Sequence, residues 1–308
     1  MKKIAYLHPI FLNNKISDRV RNFFRSVKRT LGFNVIYSTH LTDDAKNADI
    51  LLIYAAVHGK ELLMESVNLK SPKIIYLLTG PHSFKEQIMK PVAERANLML
   101  VTYINHFSSK FPKYKEKFIF FPLYFAPHSR YAKLKLQEKP MMRCLITGHR
   151  NPRIYPLRNW IAREITRKEY KDIFRVMRHP RWHDPSPMKK WEINACINKS
   201  YAETLNKYFC SIATDLIYHY GVAKYFEIPA AGTLLLGIKT QDIDKAGFVA
   251  WEHYVPISKA NIFTQVEAVL NEPGCFEKIR KDGCLYVRTN HSVRNRVRQL
   301  RTMIEERL

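Results

Sequence analysis

The sequence predicts an α/β protein made of two doubly wound parallel sheets in tandem, and three observations carry that prediction. Short apolar runs of strand length alternate with stretches of helical apolar spacing through both halves. The 308 residues suffice for two domains of ordinary size, each with its own core. The alternation lapses once, across 104–141, where Pro122, Pro127 and the charged run from Lys133 to Lys139 interrupt it. The expected organisation is a Rossmann-like domain over 1–128, a linker over 129–141, a second such domain over 142–290, and a closing helix over 291–308 that packs back on the first domain. The two sheets are expected to face a cleft at the C-terminal ends of their strands, where ligands of open α/β sheets bind.

In the first half, Lys3–Leu7 reads as a strand. Ser17 or Asp18 caps a helix whose apolar positions are Val20, Phe23, Phe24, Val27 and Leu31, and Gly32 ends it. Asn34–Ser38, Ile50–Ala55, Ile74–Leu78 and Leu98–Tyr103 follow as strands, with helices around 60–67 and 84–95. The second half opens with the strand Arg143–Thr147, which runs into Gly148. Pro156–Glu164 is a helix with proline in its first turn. Ile173–Met177 is a strand that ends at His179-Pro180, and 181–197 is a loop bearing Trp and Pro. Ser200–Lys207 is a helix and Phe209–Ala213 a strand. Val222–Ala231 is a short helix closed by Gly232, and Thr233–Leu236 is a buried strand. Later helices cover about 259–270 and 275–288.

Composition narrows the partners. Lys and Arg number 51 against 27 Asp and Glu, a net charge of +24 spread along the whole chain. Such an excess suits a solvated basic surface or attraction to polyanions, among them anionic lipid and phosphorylated substrates. The longest apolar runs, such as Ile50–Val57 and Phe118–Phe125, fall well short of the roughly 20 residues of a spanning helix. The N-terminus lacks the long apolar core of a signal peptide. The five cysteines have no zinc-type spacing and read as reduced thiols. A cytoplasmic location is expected, with peripheral contact at an anionic membrane surface.

The stretch richest in chemistry is 221–237, Gly-Val-Ala-Lys-Tyr-Phe-Glu-Ile-Pro-Ala-Ala-Gly-Thr-Leu-Leu-Leu-Gly. A glycine turn opens a short helix whose first amides suit a diphosphate. Lys224 can neutralise phosphate charge, and the Glu227 carboxylate can hold a ribose diol. Small residues at 230–232 let a backbone approach a ligand.

This stretch resembles the C-terminal domain of GT-B-fold glycosyltransferases, in the branch of CgeB-like and group 1 transferases. The resemblance rests on Lys224–Leu236, a basic residue, an aromatic, Phe-Glu, then Ala-x-Gly before an apolar strand. Gly148 with Tyr155-Pro156-Leu157-Arg158, His179-Pro180, Phe248 through His253-Tyr254-Val255-Pro256, and Asn290-His291 with Arg294 or Arg296 fall in the same order. It covers about 143–300, and the N-terminal half matches only in strand–helix rhythm. It implies metal-independent transfer of a sugar from a nucleotide-diphosphate donor to a hydroxyl on a glycan, a lipid-linked sugar or a protein, with no further cofactor. It also implies a donor site of Gly148, Arg150, Arg158, His179, His219, Lys224, Glu227, Ala231, Gly232 and Thr233. One of Arg150, Arg153 and Arg158 is expected at the phosphate. Many retaining members carry two glutamates eight positions apart. Here Glu227 matches the second and His219 stands at the first, which leaves the stereochemical outcome open.

An inverting transfer needs a base for the acceptor hydroxyl. His82, in Thr79-Gly80-Pro81-His82, fits the end of an N-domain strand best. His8 and His58 are similar in position, and His106 is a further candidate. Asp242-Ile-Asp244 matches a three-residue metal motif of another transferase fold, but it follows a late strand in the wrong architecture, so no metal site is expected. No Walker loop and no Gly-x-Gly-x-x-Gly fingerprint is present. The competing reading is a basic nucleic-acid-binding protein without catalytic activity, motivated by +24 and by the Arg and aromatic residues over Arg175–Trp191. A base-modifying transferase would combine the two. No helix-turn-helix, zinc spacing or RNA-binding signature accompanies the charge, so nucleic acid is not the expected partner.

Overall fold

The computed structural model of the chain describes residues 1–10, 18–123, 129–177, 179 and 198–308. Ser17, Phe125, Pro127, Pro180 and the 181–197 loop with Trp191 lie outside the described residues. The chain divides into two compact units, Met1–Tyr124 together with Val293–Leu308, and Phe125–Ser292. Among the described residues no helix is long and apolar enough to cross a membrane.

In the first unit the chain runs β1 (Lys3–Leu7), α1 (Asp18–Leu31), β2 (Asn34–Tyr37), β3 (Ile50–Ala55), α2 (Lys60–Ser66), β4 (Lys73–Leu78), α3 (Glu86–Arg95), β5 (Leu98–Val101), α4 (Ile104–Lys110) and β6 (Phe118–Phe120). The six strands form one parallel sheet in the order β2-β1-β3-β4-β5-β6. All of β3 is buried, as a parallel strand covered on both faces must be. Tyr76 is buried in β4 and shares a hydrogen bond with Ser66 Oγ at 2.8 Å, and burial pushes its phenol up to about 12. β6 and α4 lie where proline and charge break the sequence rhythm. Three residues, Phe118–Phe120, suffice for β6 because they pair in register with Met99–Val101.

The second unit runs α5 (Ser129–Ala132), β7 (Met141–Ile146), α6 (Pro156–Glu164), β8 (Phe174–Val176), α7 (Asn198–Asn206), β9 (Tyr208–Ala213), α8 (Lys224–Ala230), β10 (Leu234–Ile238), α9 (Gln241–Lys245), β11 (Val255–Ile257), α10 (Ile262–Asn271) and α11 (Pro273–Asn290). Its parallel sheet has the order β11-β10-β9-β7-β8. Ile146, Ile161, Ile212, Leu234, Leu236, Val255 and Val266 meet in its core. The expected linker is not a free tether: within 129–141, the Lys135 carbonyl accepts from Asn206 Nδ2 at 3.0 Å, and Gln137 bonds Asn206 and Arg280.

α12 (Val293–Arg307) closes the chain and belongs to the first unit, where it packs against α1. Arg296, 1% exposed, donates there to the Pro122 carbonyl and to Gln299.

Strand order fixes where ligands can bind. In the first sheet the order reverses between β1 and β3, and in the second between β7 and β9. Each reversal opens a crevice beyond the carboxyl ends of the two strands.

Candidate functional site

At the β7/β9 crevice, β7 delivers Thr147, Gly148 and His149, and β9 delivers Thr214 and Asp215. Gly148 has φ of +97°, a left-handed conformation that suits glycine. Its open side is not empty. A Cβ there would lie 2.6 Å from Lys224 Cε, 3.2 Å from Lys224 Nζ and 2.9 Å from an Arg158 terminal nitrogen. Two cations from different helices therefore converge on one glycine, with their nitrogens no more than about 6 Å apart.

Arg158 reaches this point from the first turn of α6, which Pro156 starts. Its guanidinium stacks on Tyr155 at 4.2 Å and donates to the His149 and Thr214 carbonyls, both at 3.1 Å. It thus ties the loops after β7 and β9 together. It is 3% exposed, Nε makes no hydrogen bond, and among the described residues no carboxylate pairs with it. Burial pulls its pKa down, opposed by Tyr155, Tyr201, Tyr225 and Asp215, yet a guanidinium stays charged in protein. A buried charge with no carboxylate within ion-pair distance is costly, by several kcal/mol per ion. Such a group is satisfied when an anion arrives.

Lys224 sits in the first turn of α8 and donates to Tyr201 Oη at 2.9 Å, above the same ring at 5.1 Å. Tyr201, from α7, also shares a hydrogen bond with Thr147 Oγ1 at 2.9 Å. The Thr214 hydroxyl, fully buried, has no hydrogen-bond partner among the described residues. Glu227 lies three residues after Lys224 in α8, so the two occupy neighbouring positions on one helical face, and Glu227 is half-buried. His149 and His179 meet edge to face at 5.7 Å beside this cluster.

The structure thus gathers Gly148, Arg158 and Lys224, with Glu227 one turn on and His179 at the side. Of the three arginines after β7, Arg158 turns inward, whereas Arg150 and Arg153 are exposed. His219 is exposed, in a left-handed backbone conformation (φ 55°), with Nδ1 2.7 Å from Asp215 Oδ2. Three residues are placed otherwise than expected. Ala231 and Thr233 are fully buried, and Gly232 is packed under Leu136. The Ala231 carbonyl accepts from Asn206, the Gly232 carbonyl from Arg280, and the Thr233 hydroxyl bonds Leu205 O. This junction is spent on internal packing and leaves no bare backbone for a ligand. The helix start differs too. The Tyr225, Phe226 and Glu227 amides already donate to Val222 and Ala223, and the Gly221 amide donates to Asp242 Oδ2. The Arg158 and Lys224 side chains bring two positive charges to the same place.

The sequence reading missed His149, Tyr201 and Thr214. His149 stands directly after Gly148, at the strand end that marks the site. The other two come from elements distant in sequence and carry no local signal.

In the first unit, His8 follows β1 and His58 follows β3, at that sheet's crevice. Their rings stack with centroids 5.0 Å apart. Burial and then His58 hold His8 below the ordinary histidine value, against Glu61. His82 lies one strand further, in a turn after β4, where Lys110 Nζ donates to the Pro81 carbonyl at 3.1 Å. Partial burial, then Lys110 and Lys60, lower its pKa, so the imidazole is neutral near pH 7. His106 lies within α4.

The remaining motifs are structural. Asp242 is buried against the Gly221 amide, while Asp244 lies 3.6 Å from Lys239, so the two carboxylates serve different contacts. His291 packs among Phe226, Phe248 and Tyr286.

No protein-family model matches the chain, and no curated protein matches its sequence. Solved structures do match over the full length. Sucrose-phosphate synthase from Thermosynechococcus elongatus has a TM-score of 0.66 at 10% identity, covering 99% of each chain. Anabaena HepE in complex with UDP has a TM-score of 0.61 at 8% identity, covering 99% of this chain and 100% of that one. The DNA-modifying β-glucosyltransferase, crystallised with and without uridine diphosphoglucose, has a TM-score of 0.57 at 11% identity, covering 98% of each. At these identities the likeness is one of architecture: the chain has the two Rossmann-like units of the GT-B fold.

Proposed function

We propose that the protein is a glycosyltransferase that moves a sugar from a nucleoside-diphosphate sugar to a hydroxyl on a glycan, a lipid-linked sugar or a protein. The observation that carries this is the buried Arg158 guanidinium, with no carboxylate within ion-pair distance among the described residues, beside Lys224 over Gly148 at a sheet crevice. Departure of a nucleoside diphosphate builds negative charge on the β-phosphate. Fixed cations in a site shielded from water stabilise that charge without reorganising. Arg158 and Lys224 supply two, so the reaction proceeds without a metal ion in this reading. Glu227, on the face that carries Lys224, holds the ribose diol. His179 and His149 line the crevice beside them, and His82 is the base for the acceptor hydroxyl. The UDP and glucose bound in HepE favour a uridine-linked hexose as donor. The motif at Lys224–Leu236 favours the CgeB-like and group 1 branch.

A thermal-shift panel of UDP-, GDP-, ADP-, CMP- and dTDP-linked sugars tests the donor site. One diphosphate class is expected to raise the melting temperature. At a hundredfold excess over Kd the stabilisation is about 2.7 kcal/mol. Lys224→Met should remove most of the rise. No shift with any member of the panel would remove the basis for a donor site.

A further inference from the structure

We propose that the outer face of the helix pair α1–α12 in the first unit is a docking surface for the phosphodiester backbone of a nucleic-acid duplex. The proposal stands independently of the transferase reading. Each helix buries one stripe and exposes a basic one. In α1, Val20, Phe23, Phe24, Val27 and Leu31 face the core, while the exposed Arg25, Lys28 and Arg29 fall at i, i+3 and i+4 along another stripe. In α12, Val293, Val297 and Leu300 face inward, and Arg294, Arg298 and Arg301 fall at i, i+4 and i+7. At 1.5 Å per residue these rows run ~6 and ~10 Å.

The two helices pack together, and Arg301 donates to the Thr30 carbonyl at 2.9 Å across the seam. A groove of about 220 Å³ lies there, lined by Lys3, Thr30, Leu31, Arg301, Ile304 and Glu305. The pair carries ten Lys or Arg against Asp18, Glu305 and Glu306. Arg25, Lys28, Arg29, Arg294 and Arg298 are exposed, and among the described residues none has a carboxylate partner. Surface cations left unneutralised on two helices that pack together create a positive potential that suits a rod of phosphates, and docking of this kind needs no recognition motif.

One feature favours a nucleic acid over a lipid surface. Helices that bind membranes do so largely through exposed apolar area. Here the apolar stripes are buried, and none of the exposed large hydrophobic side chains lies on α1 or α12. The exposed cations are mostly arginine, whose planar fork matches phosphate geometry and so suits a phosphodiester backbone as it would any phosphate.

The test titrates the full chain into a labelled random duplex of about 30 base pairs between about 50 and 200 mM salt, read by fluorescence anisotropy. Parallel flotation uses phosphatidylcholine–phosphatidylserine vesicles. The helix variant is Arg25→Glu/Lys28→Glu/Arg294→Glu/Arg298→Glu. A control makes the same charge change at exposed lysines elsewhere: Lys70→Glu/Lys90→Glu/Lys113→Glu/Lys171→Glu. Wild type should bind the duplex with affinity falling steeply in salt. The helix variant should lose at least about thirtyfold and flatten the salt slope by about 3, against a threefold loss or less in the control. If the quadruple variant melts early, the milder Arg294→Gln/Arg298→Gln should still weaken duplex binding about fivefold at unchanged melting temperature. Equal losses in helix and control variants, no duplex binding by wild type, or vesicle binding in its place would overturn the proposal.

Discussion

Gly148→Ala separates a ligand site from a merely structural cluster. The backbone there has φ of +97°, so an alanine costs about 1–2 kcal/mol in strain. Its Cβ would also enter space held by Lys224 Cε at 2.6 Å and an Arg158 nitrogen at 2.9 Å. Both are ends of long side chains, so the unliganded fold can yield by moving them. Lys224 yields most easily, because Arg158 is tied to two carbonyls. A bound diphosphate has no such freedom. Losing one charge-assisted hydrogen bond costs about 1.5–3 kcal/mol, a rise in Kd of roughly 10- to 150-fold. Calorimetric titration of wild type and variant with the best-binding nucleoside diphosphate measures this, alongside the melting temperature. A variant whose melting temperature falls while its Kd stays within about twofold of wild type would refute the placement of the donor phosphates against these cations.

Other outcomes are equally measurable. Glu227→Gln should weaken binding of the nucleoside diphosphate more than of inorganic pyrophosphate, because the carboxylate is assigned to the ribose; equal effects would move it elsewhere. If His82 is the base, kcat should rise with pH to a plateau, with a midpoint below the ordinary histidine value, because burial and two lysines favour the neutral ring. His82→Gln should lower kcat and leave donor Kd unchanged, and the same experiment on His8 and His58 decides among the three. Asp242 is raised from 3.8 to about 6 by burial, which outweighs the Gly221 amide bond. Its folded form disfavours ionisation, so wild type should lose stability relative to Asp242→Asn as pH rises through about 6, by at most about 3 kcal/mol. Denaturant unfolding at pH 4.5 and 7.5 reads the difference, and a wild type that gains on the variant as pH rises contradicts it. Gly283→Ala drives a methyl into the His253 carbonyl, which is backbone and cannot swing away. It should destabilise the second unit by about 1–3 kcal/mol.

The strands were legible because a parallel sheet covered on both faces demands continuous apolar runs, and Ile50–Ala55 and Ile74–Leu78 fall within a residue of β3 and β4. Gly148, Arg158 and Lys224 were legible for a related reason: each follows a strand end or opens a helix, and those positions are visible in a linear pattern. What the pattern does not contain is partnership across the fold. The small residues 231–233 look open to a ligand until Leu136, Asn206 and Arg280 arrive from elsewhere in the chain and fill the space. The Tyr225, Phe226 and Glu227 amides look free until Val222 and Ala223 accept them in a tight turn. Tyr201, which holds Lys224 in place, is invisible for the same reason. Strand order is another such property. It puts His8 and His58, rather than His82, at the reversal of the first sheet, and only pairing of β1 with both β2 and β3 reveals that.

The presence of side-chain cations beside the helix start bears on how this site would work. Amides at a helix start are fixed by the backbone and lose little on binding, whereas a lysine must be held. Here Lys224 is held by Tyr201, which Thr147 holds in turn, and Arg158 is held by two carbonyls and a stacked ring. Both cations are therefore preorganised before an anion binds, which is the condition for stabilising a charge that develops only in the transition state. The two are not equivalent. Arg158 joins the loops after β7 and β9, so its removal loosens the crevice as well as discharging it. Lys224 hangs from one helix and can be neutralised with the crevice intact. Effects on affinity at Lys224 thus report electrostatics, and effects at Arg158 report electrostatics and loop geometry together, so the difference between them measures what the tie between the loops contributes.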